Sequence, residues 1–137
     1  MPRKNYEKLR TWQLSMVLVE HCYKLTSSFP PEEKSGLTNT IRRNIMTLPT
    51  SIAEAHQAPT EAALSKLKAA KASLLELETT LLLCKRMKFI TRWSLRRMRR
   101  KAQNLSLMLE DEIELLLDDL EEESKKTRKT SKTAKAK

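Results

Sequence analysis

Glycine is nearly absent from this sequence, and aromatic side chains are scarce. Gly36 is the one glycine among 137 residues, and Phe, Trp and Tyr together make up 4%. Tight hairpin turns need residues that tolerate positive φ, and strands favour β-branched and aromatic side chains. Because the chain has 22 leucines but only seven Val and Ile residues, an all-β fold is excluded.

Long hydrophobic runs are also missing. The longest leucine runs, at 81–83 and 115–117, are far shorter than the roughly 20 apolar residues that span a bilayer. The first five residues, MPRKN, have neither the apolar core nor the small-residue cleavage site of a secretory signal. We therefore expect no membrane partner and a cytoplasmic location.

The residues that usually carry catalysis or hold metals are few and scattered. Cys22 and Cys84 lie in leucine-rich helical patterns without a CxxC spacing, and we expect both to be buried, reduced thiols. His21 and His56 are the only histidines, and no carboxylates accompany them at metal-ligand spacing. No glycine-rich phosphate loop or catalytic motif is present. The sequence predicts no catalytic residue, metal or cofactor, and therefore no enzyme.

The net charge of +10 favours polyanionic partners. Seven of the basic residues lie in the last 14 positions, SKKTRKTSKTAKAK, which contain no acid and no large apolar side chain. Such a composition is typical of disorder. We therefore predict a folded domain at 1–123 and a disordered, lysine-rich tail at 124–137.

The charges of the folded part are separated along the chain. Nine basic residues and no acid lie between Lys85 and Lys101, here called the basic segment, and nine acids and no base lie between Glu110 and Glu123. On one helix this order opposes the macrodipole, because cations would start the helix and anions would end it. The basic segment is therefore either a solvated face or a surface that contacts a polyanion.

Apolar residues recur at helical spacing in four stretches. The first ends near Ser28, before Pro30 and Pro31, and the second follows from Pro31 with a kink or break expected at Pro49. Thr60 and Thr91 are the expected N-caps of the third and fourth helices. The third row is Ala63, Leu67, Ala70, Leu74, Leu77, Leu81 and Cys84, and the fourth is Met98, Ala102, Leu105, Leu109, Ile113, Leu116 and Leu120.

Four amphipathic helices with short connections predict an all-α, up-down-up-down antiparallel four-helix bundle. Other apolar residues lie off the main rows, more than one bundle interior can absorb, and they predict association between subunits. They are Leu14, Val17, Leu64, Leu75, Leu82, Leu107 and Leu115.

The stretch GLTNTIRRNIMTLPTSIAE at 36–54 resembles the signature of a small bacterial four-helix bundle family named after proteins encoded in 23S rRNA intervening sequences. The opening YEKLRTWQLSMVLVEHCYKL and the later LLELETTLLLCKRMKFI are similar to its first and third helices. That family is similar to the accessory variability determinant of diversity-generating retroelements. The resemblance therefore implies a basic pentamer that binds RNA or DNA and a reverse transcriptase.

Two functions follow from these patterns. The first is a non-enzymatic, oligomeric accessory protein that binds nucleic acid and assists a retroelement reverse transcriptase. The second is a structural or protein-docking bundle of the intervening-sequence type, whose charges are used in subunit contacts. The candidate nucleic-acid-binding residues are Lys85, Arg86, Lys88, Arg92, Trp93, Arg96, Arg97, Arg99, Arg100, Lys101, Lys125, Lys126, Arg128 and Lys129.

For some residues the sequence leaves two possible roles open. Trp93 lies among arginines, the mixture found in single-strand binders, although packing in a core or interface is the more common role of tryptophan. Arg43 and Glu54 share a helix face but are about 16 Å apart along the axis and cannot pair directly. With Arg42 and Pro49 they are the expected structural or interface residues, and nucleic-acid contact is the alternative.

Overall fold

The computed structural model describes residues 5–135 of the chain. Four α-helices account for most of them: α1 at Arg10–Thr26, α2 at Leu37–Gln57, α3 at Thr60–Arg86 and α4 at Arg92–Lys135. Two 3-10 turns, Tyr6–Lys8 and Pro31–Glu33, precede α1 and α2. Each helix packs against the next, and α4 also packs against α1. The all-α antiparallel four-helix bundle is confirmed, and the described residues contain no strand.

The interior consists of the rows that the spacing predicts. All seven residues of the α3 row, from Ala63 to Cys84, are buried, as are Ile41, Ile45, Leu48 and Ile52 of α2. The α4 row is buried as far as Ile113, and its last two members are half-buried. Cys22 and Cys84 are buried free thiols.

The start of α2 differs from the prediction. Pro31–Glu33 forms a separate 3-10 turn, and α2 begins at Leu37 rather than at Pro31. The Glu33 carboxylate accepts a hydrogen bond of 3.0 Å from the Leu37 backbone N–H. An acceptor from the preceding turn therefore satisfies one of the free donors at the helix start.

Of the kink or break predicted at Pro49, the break is excluded, because α2 runs through this residue to Gln57. Pro49 is buried, and it can make no hydrogen bond to the Ile45 carbonyl because proline lacks an N–H. Packing of the neighbouring Leu48 and Ile52 in the core holds the helix together despite that loss. The α3 boundary is shifted by one residue, with Pro59 as N-cap and Thr60 as the first helical residue.

The tail also differs from the predicted disorder. Helix α4 continues from the bundle through residues 124–135, and residues 136–137 lie outside the described residues. Extending an existing helix avoids the cost of nucleation, and lysine, arginine and alanine are good helix formers. Lys125 and Glu121 form an i,i+4 ion pair of 3.6 Å. The predicted domain boundary at residue 123 thus falls within α4, which ends among cations that suit its dipole.

Candidate nucleic-acid interface

The basic segment forms the turn between α3 and α4 and the first turns of α4. Helix α3 ends with Lys88 in the left-handed region at φ 64°, where the Phe89 N–H donates to the Cys84 carbonyl at 2.9 Å and the Lys88 N–H to the Lys85 carbonyl at 3.1 Å. This is the Schellman pattern, in which glycine is the usual left-handed residue. This short turn joins the basic last turn of α3 to the basic first turns of α4.

Thr91 caps the N-terminus of α4 as predicted, because its hydroxyl accepts the Ser94 backbone N–H at 3.1 Å. The first turn of α4 contains no acid, so its positive dipole end has no negative side chain to compensate it. Trp93 and the following arginines project from this turn and the next two.

Most of the predicted binding residues are exposed. Lys85, Arg99 and Lys101 are half-buried, and the Arg99 Nε is buried without a hydrogen-bond partner. Within residues 5–135, no cation of the basic segment lies within ion-pair distance of a carboxylate. The exposed members are Arg86, Lys88, Arg92, Trp93, Arg96, Arg97 and Arg100.

Trp93 does not pack in the core of the bundle, because 68% of it is exposed. The Arg97 guanidinium carbon lies 5.5 Å from the centre of its ring, within cation–π range. Trp12 differs: it is half-buried and makes an edge contact with Tyr6 at 5.4 Å between ring centres. Of the two tryptophans, Trp93 therefore presents the larger free aromatic surface.

A groove between α1 and α4 adjoins Trp93. It has a volume of about 460 Å³ and is open to solvent. We call it the α1–α4 groove; its lining residues are His21, Lys24, Leu25, Ser28, Trp93, Ser94, Arg97 and Met98. Lys101 lies beside it and contacts the imidazole of His21, with 3.3 Å between Nζ and Nε2.

The electrostatics of the α1–α4 groove reflect an excess of positive charge. Partial burial lowers the pKa of His21, and the nearby cations Lys101, Arg97 and Lys24 lower it further, whereas Glu20 acts in the opposite direction. Burial, Arg97 and Lys24 also lower the pKa of Lys101. A bound anion would favour the protonated forms of His21 and Lys101.

His21 and Lys24 are the functional candidates that sequence reasoning missed. They are on α1, and His21 is 80 residues from Lys101. The helical spacing places them on the side of α1 that meets α4, but the sequence contains no signal that pairs these positions. Only the packing of α1 against α4 brings them to the basic segment.

The residues predicted to be structural or interfacial lie on α2, away from the basic segment, and two of them join α2 to its neighbouring helices. Arg42 donates to the Thr26 hydroxyl at 2.8 Å and stacks over Tyr23 at 4.6 Å, which joins α2 to α1. Glu54 pairs with Lys66 of α3 at 2.6 Å, and Arg43 is exposed.

The four predicted tail residues, Lys125, Lys126, Arg128 and Lys129, are exposed on the last turns of α4. Lys125 is 24 residues beyond Lys101, a distance of about 36 Å along the helix. The structure therefore does not bring the tail cations to the basic segment of the same chain.

Several leucines outside the predicted rows remain exposed. Leu75 is 66% exposed, Leu107 67% and Leu115 65%, and Leu82 and Val17 are 40% exposed each. Leu14 and Leu64 instead pack partly against the core. Subunit association, if it occurs, would cover apolar surface of this kind.

The described part of the chain offers little else that could carry chemistry. Residues 5–135 contain no group of three or more His, Cys, Asp or Glu side chains that could hold a metal ion. Burial raises the pKa of Cys22 to about 12 and that of Cys84 to about 11, so neither is a reactive thiolate near neutral pH. None of the helices described here combines the length and the hydropathy of a membrane span.

These features define a small four-helix bundle with a basic, aromatic surface at one end. The chain belongs to the 23S rRNA-intervening sequence protein family, whose model matches residues 7–111. The match covers α1 to α3, the whole basic segment and α4 as far as residue 111. The predicted resemblance to this family is thereby confirmed. None of the curated proteins compared with this chain matches it.

Proposed function

We propose that this protein is a non-enzymatic, oligomeric accessory protein that binds nucleic acid through the basic segment. The observation that carries the proposal is the cluster of exposed cations without ion pairs around a 68% exposed Trp93. Arginine binds phosphate with two donors at once, and tryptophan stacks on bases. Phosphate contacts of this kind give binding that depends on salt and little on sequence.

Subunit association would strengthen this binding. Each subunit contributes a net charge of +10, and a ring of subunits would present several basic segments to one strand. The resemblance to the accessory variability determinant supports a pentamer. The exposed Leu75, Leu107 and Leu115 supply apolar surface for its contacts.

The finer form of the proposal is assistance to a retroelement reverse transcriptase, which rests on the same resemblance. A reverse transcriptase gene with template and variable repeats beside the gene for this chain would support it. Copurification of the two proteins after nuclease treatment would test a direct contact, and loss of copurification after that treatment would contradict one.

The central experiment reverses three exposed charges, Arg96→Glu, Arg97→Glu and Arg100→Glu, and measures a gel shift with an unrelated RNA at about 150 mM salt. We expect the shift to be lost. Circular dichroism and sedimentation should show unchanged helicity and oligomer size. Unchanged RNA binding by this variant would contradict the proposed site.

A matched control reverses three exposed cations at the opposite end of the bundle, Lys8→Glu, Arg10→Glu and Lys68→Glu. Both variants change the net charge equally. If binding depends on the basic segment rather than on net charge, the control should keep most of its RNA affinity. Equal loss in both variants would show that only the overall charge matters.

A second candidate function, the structural or docking bundle, is favoured by the order of charges on the exposed face of α4. Arg96 and Asp118 are both 11 residues from Leu107, and Arg100 and Glu114 are both seven residues from it. All five are exposed and share one helix face. Two antiparallel copies of α4 crossing at Leu107 would therefore place each arginine opposite a carboxylate.

Exchanging charges separates the two candidates. If subunits pair in this register, Arg96→Glu with Arg100→Glu should weaken the oligomer, and adding Glu114→Arg with Asp118→Arg should restore it. Sedimentation measures both effects. If the arginines bind RNA instead, the first pair should reduce RNA affinity while the oligomer persists.

A further inference from the structure

The α1–α4 groove has two unlike sides. Lys24, Arg97 and the adjacent Lys101 supply cations from two helices, whereas Trp93 supplies an exposed ring and Leu25 and Met98 supply apolar surface. Its volume of about 460 Å³ lies within the range of pockets that hold small organic ligands. A ligand that fits it should combine a negative charge with a flat or apolar group.

The charged side of the groove lacks a counterion. Burial, together with the nearby cations, lowers the pKa of His21 and of Lys101, and Glu20 acts on His21 in the opposite direction. None of these cations is ion-paired with a carboxylate among the residues described. The positive end of α4, which has no acid in its first turn, adds to the same potential. A phosphate would compensate all of these charges together.

The aromatic side favours an unpaired base. Arg97 already lies over the Trp93 ring at 5.5 Å, and the large exposed fraction of Trp93 leaves room for a second planar group. Bases in a duplex are stacked on one another and present only their edges, whereas bases in a single strand offer their faces to aromatic side chains. Stacking on Trp93 therefore requires a single-stranded segment.

We propose that the α1–α4 groove binds one nucleotide unit of single-stranded nucleic acid, with the phosphate among Lys24, Arg97 and Lys101 and the base on Trp93. This inference rests on the proposed function and specifies its substrate as single-stranded. It also assigns a binding role to Lys24, which is on α1 and outside the basic segment.

The test uses the intrinsic fluorescence of Trp93 in a Trp12→Phe background of the full chain. A single-stranded oligouridine of about 12 nucleotides, within the size range of single-strand sites, should quench this fluorescence. A hairpin duplex of the same nucleotide number should quench it much less and should bind at least about tenfold more weakly. Anisotropy of labelled oligonucleotides measures both affinities.

Two variants test the two sides of the groove. Trp93→Leu should lower the affinity for the single strand about tenfold or more and should change duplex binding little. Lys24→Gln should lower it several-fold, whereas Lys8→Gln, at an exposed lysine far from the groove, should not. All three positions are exposed, so the variants should fold, and circular dichroism checks this.

The outcomes separate the inference from the proposed function. Equal affinity for single strand and duplex, without quenching, would overturn the inference and leave general nucleic-acid binding in place. Single-strand affinity that is insensitive to Lys24 and Trp93 would also overturn it. Absence of binding to either nucleic acid would overturn the inference and the proposed function together.

Discussion

The leucine-rich interior and the basic segment follow different rules. In the interior, the helical rows of α2 and α3 are buried and two cysteines remain as unreactive thiols. In the basic segment, a lysine occupies a left-handed position, cations begin a helix whose dipole opposes them, and a buried arginine Nε lacks a partner. Each of the latter features reduces stability.

This difference indicates which residues serve the fold and which serve another purpose. Features that oppose stability persist where the surrounding structure tolerates them, and they concentrate at functional sites. Substitutions in the interior should therefore only destabilise, whereas some substitutions in the basic segment should stabilise the protein while reducing binding. Four predictions, two of them with a paired control variant, follow from the largest expected effect to the smallest.

The largest effect is expected in the interior. Leu77 is 1% exposed in the α3 row, and Leu77→Ala should reduce the free energy of unfolding by about 2–5 kcal/mol because it leaves a cavity. Leu75→Ala, on the same helix but 66% exposed, should change the free energy of unfolding of the monomer by less than about 0.5 kcal/mol. Urea denaturation measures both. Equal losses would contradict the division between inner and outer leucines.

The next effect has the opposite sign. Lys88→Gly should raise the free energy of unfolding by roughly 0.5–1 kcal/mol, because glycine adopts positive φ without the strain of a side chain. Lys85→Gly, within α3, should instead lower it by about 1 kcal/mol. Thermal unfolding of the two variants provides the comparison. Destabilisation by Lys88→Gly would show that the lysine side chain contributes more than its backbone strain costs.

A smaller stabilisation is expected from Arg92→Glu. A carboxylate in the first turn of α4 should stabilise the helix by about 0.3–1 kcal/mol through its interaction with the positive end of the dipole, whereas the arginine now at this position is repelled by that end. The same change should weaken RNA binding if Arg92 contacts phosphate. The melting temperature should therefore rise, whereas the RNA affinity measured by gel shift should fall. A variant that loses both stability and binding would contradict the contrast.

The smallest effect concerns His21. Its pKa is lowered in the folded protein by burial and by Lys101, Arg97 and Lys24, so the unfolded chain binds a proton more readily as the pH falls through about 6.5. Acidification from pH 7.5 to 5.5 should therefore destabilise the native protein.

His21→Gln should reduce the dependence of the free energy of unfolding on pH between 7.5 and 5.5. Glu112, whose pKa is raised by burial against opposing effects of Thr11 and His56, is present in both proteins, and its contribution cancels in the difference. Urea denaturation at several pH values measures the slope. Identical slopes for the two proteins would contradict the assignment to His21.

The bundle could be predicted from the sequence because burial follows from periodicity. The α3 row repeats at heptad spacing with leucine or a small residue at every position, and no polar residue interrupts it. Local hydrogen bonding also made the Thr91 cap predictable. In contrast, the separate turn at Pro31–Glu33 depends on Glu33 capping α2, and the continuity of α2 at Pro49 depends on packing against other helices.

The candidate site was predictable only in part. The basic segment is a local feature of composition, and most of its cations are exposed as a charge run predicts. The α1–α4 groove combines residues that are far apart in the chain, and no local pattern relates Lys24 to Trp93. The helical state of residues 124–135 was missed because composition describes how an isolated segment behaves, whereas this segment continues a helix that is already formed.

The reach of the far end of α4 depends on whether its last turns are wound or unwound. Residues 121–132 are exposed, so packing adds little to their own hydrogen bonds, and such a helix end unwinds at low free-energy cost. As a helix, residues 124–135 extend about 18 Å, and as an extended chain they reach about 40 Å. If the cations of this arm bind a polyanion, unwinding would lengthen the reach of the arm and rewinding would shorten it.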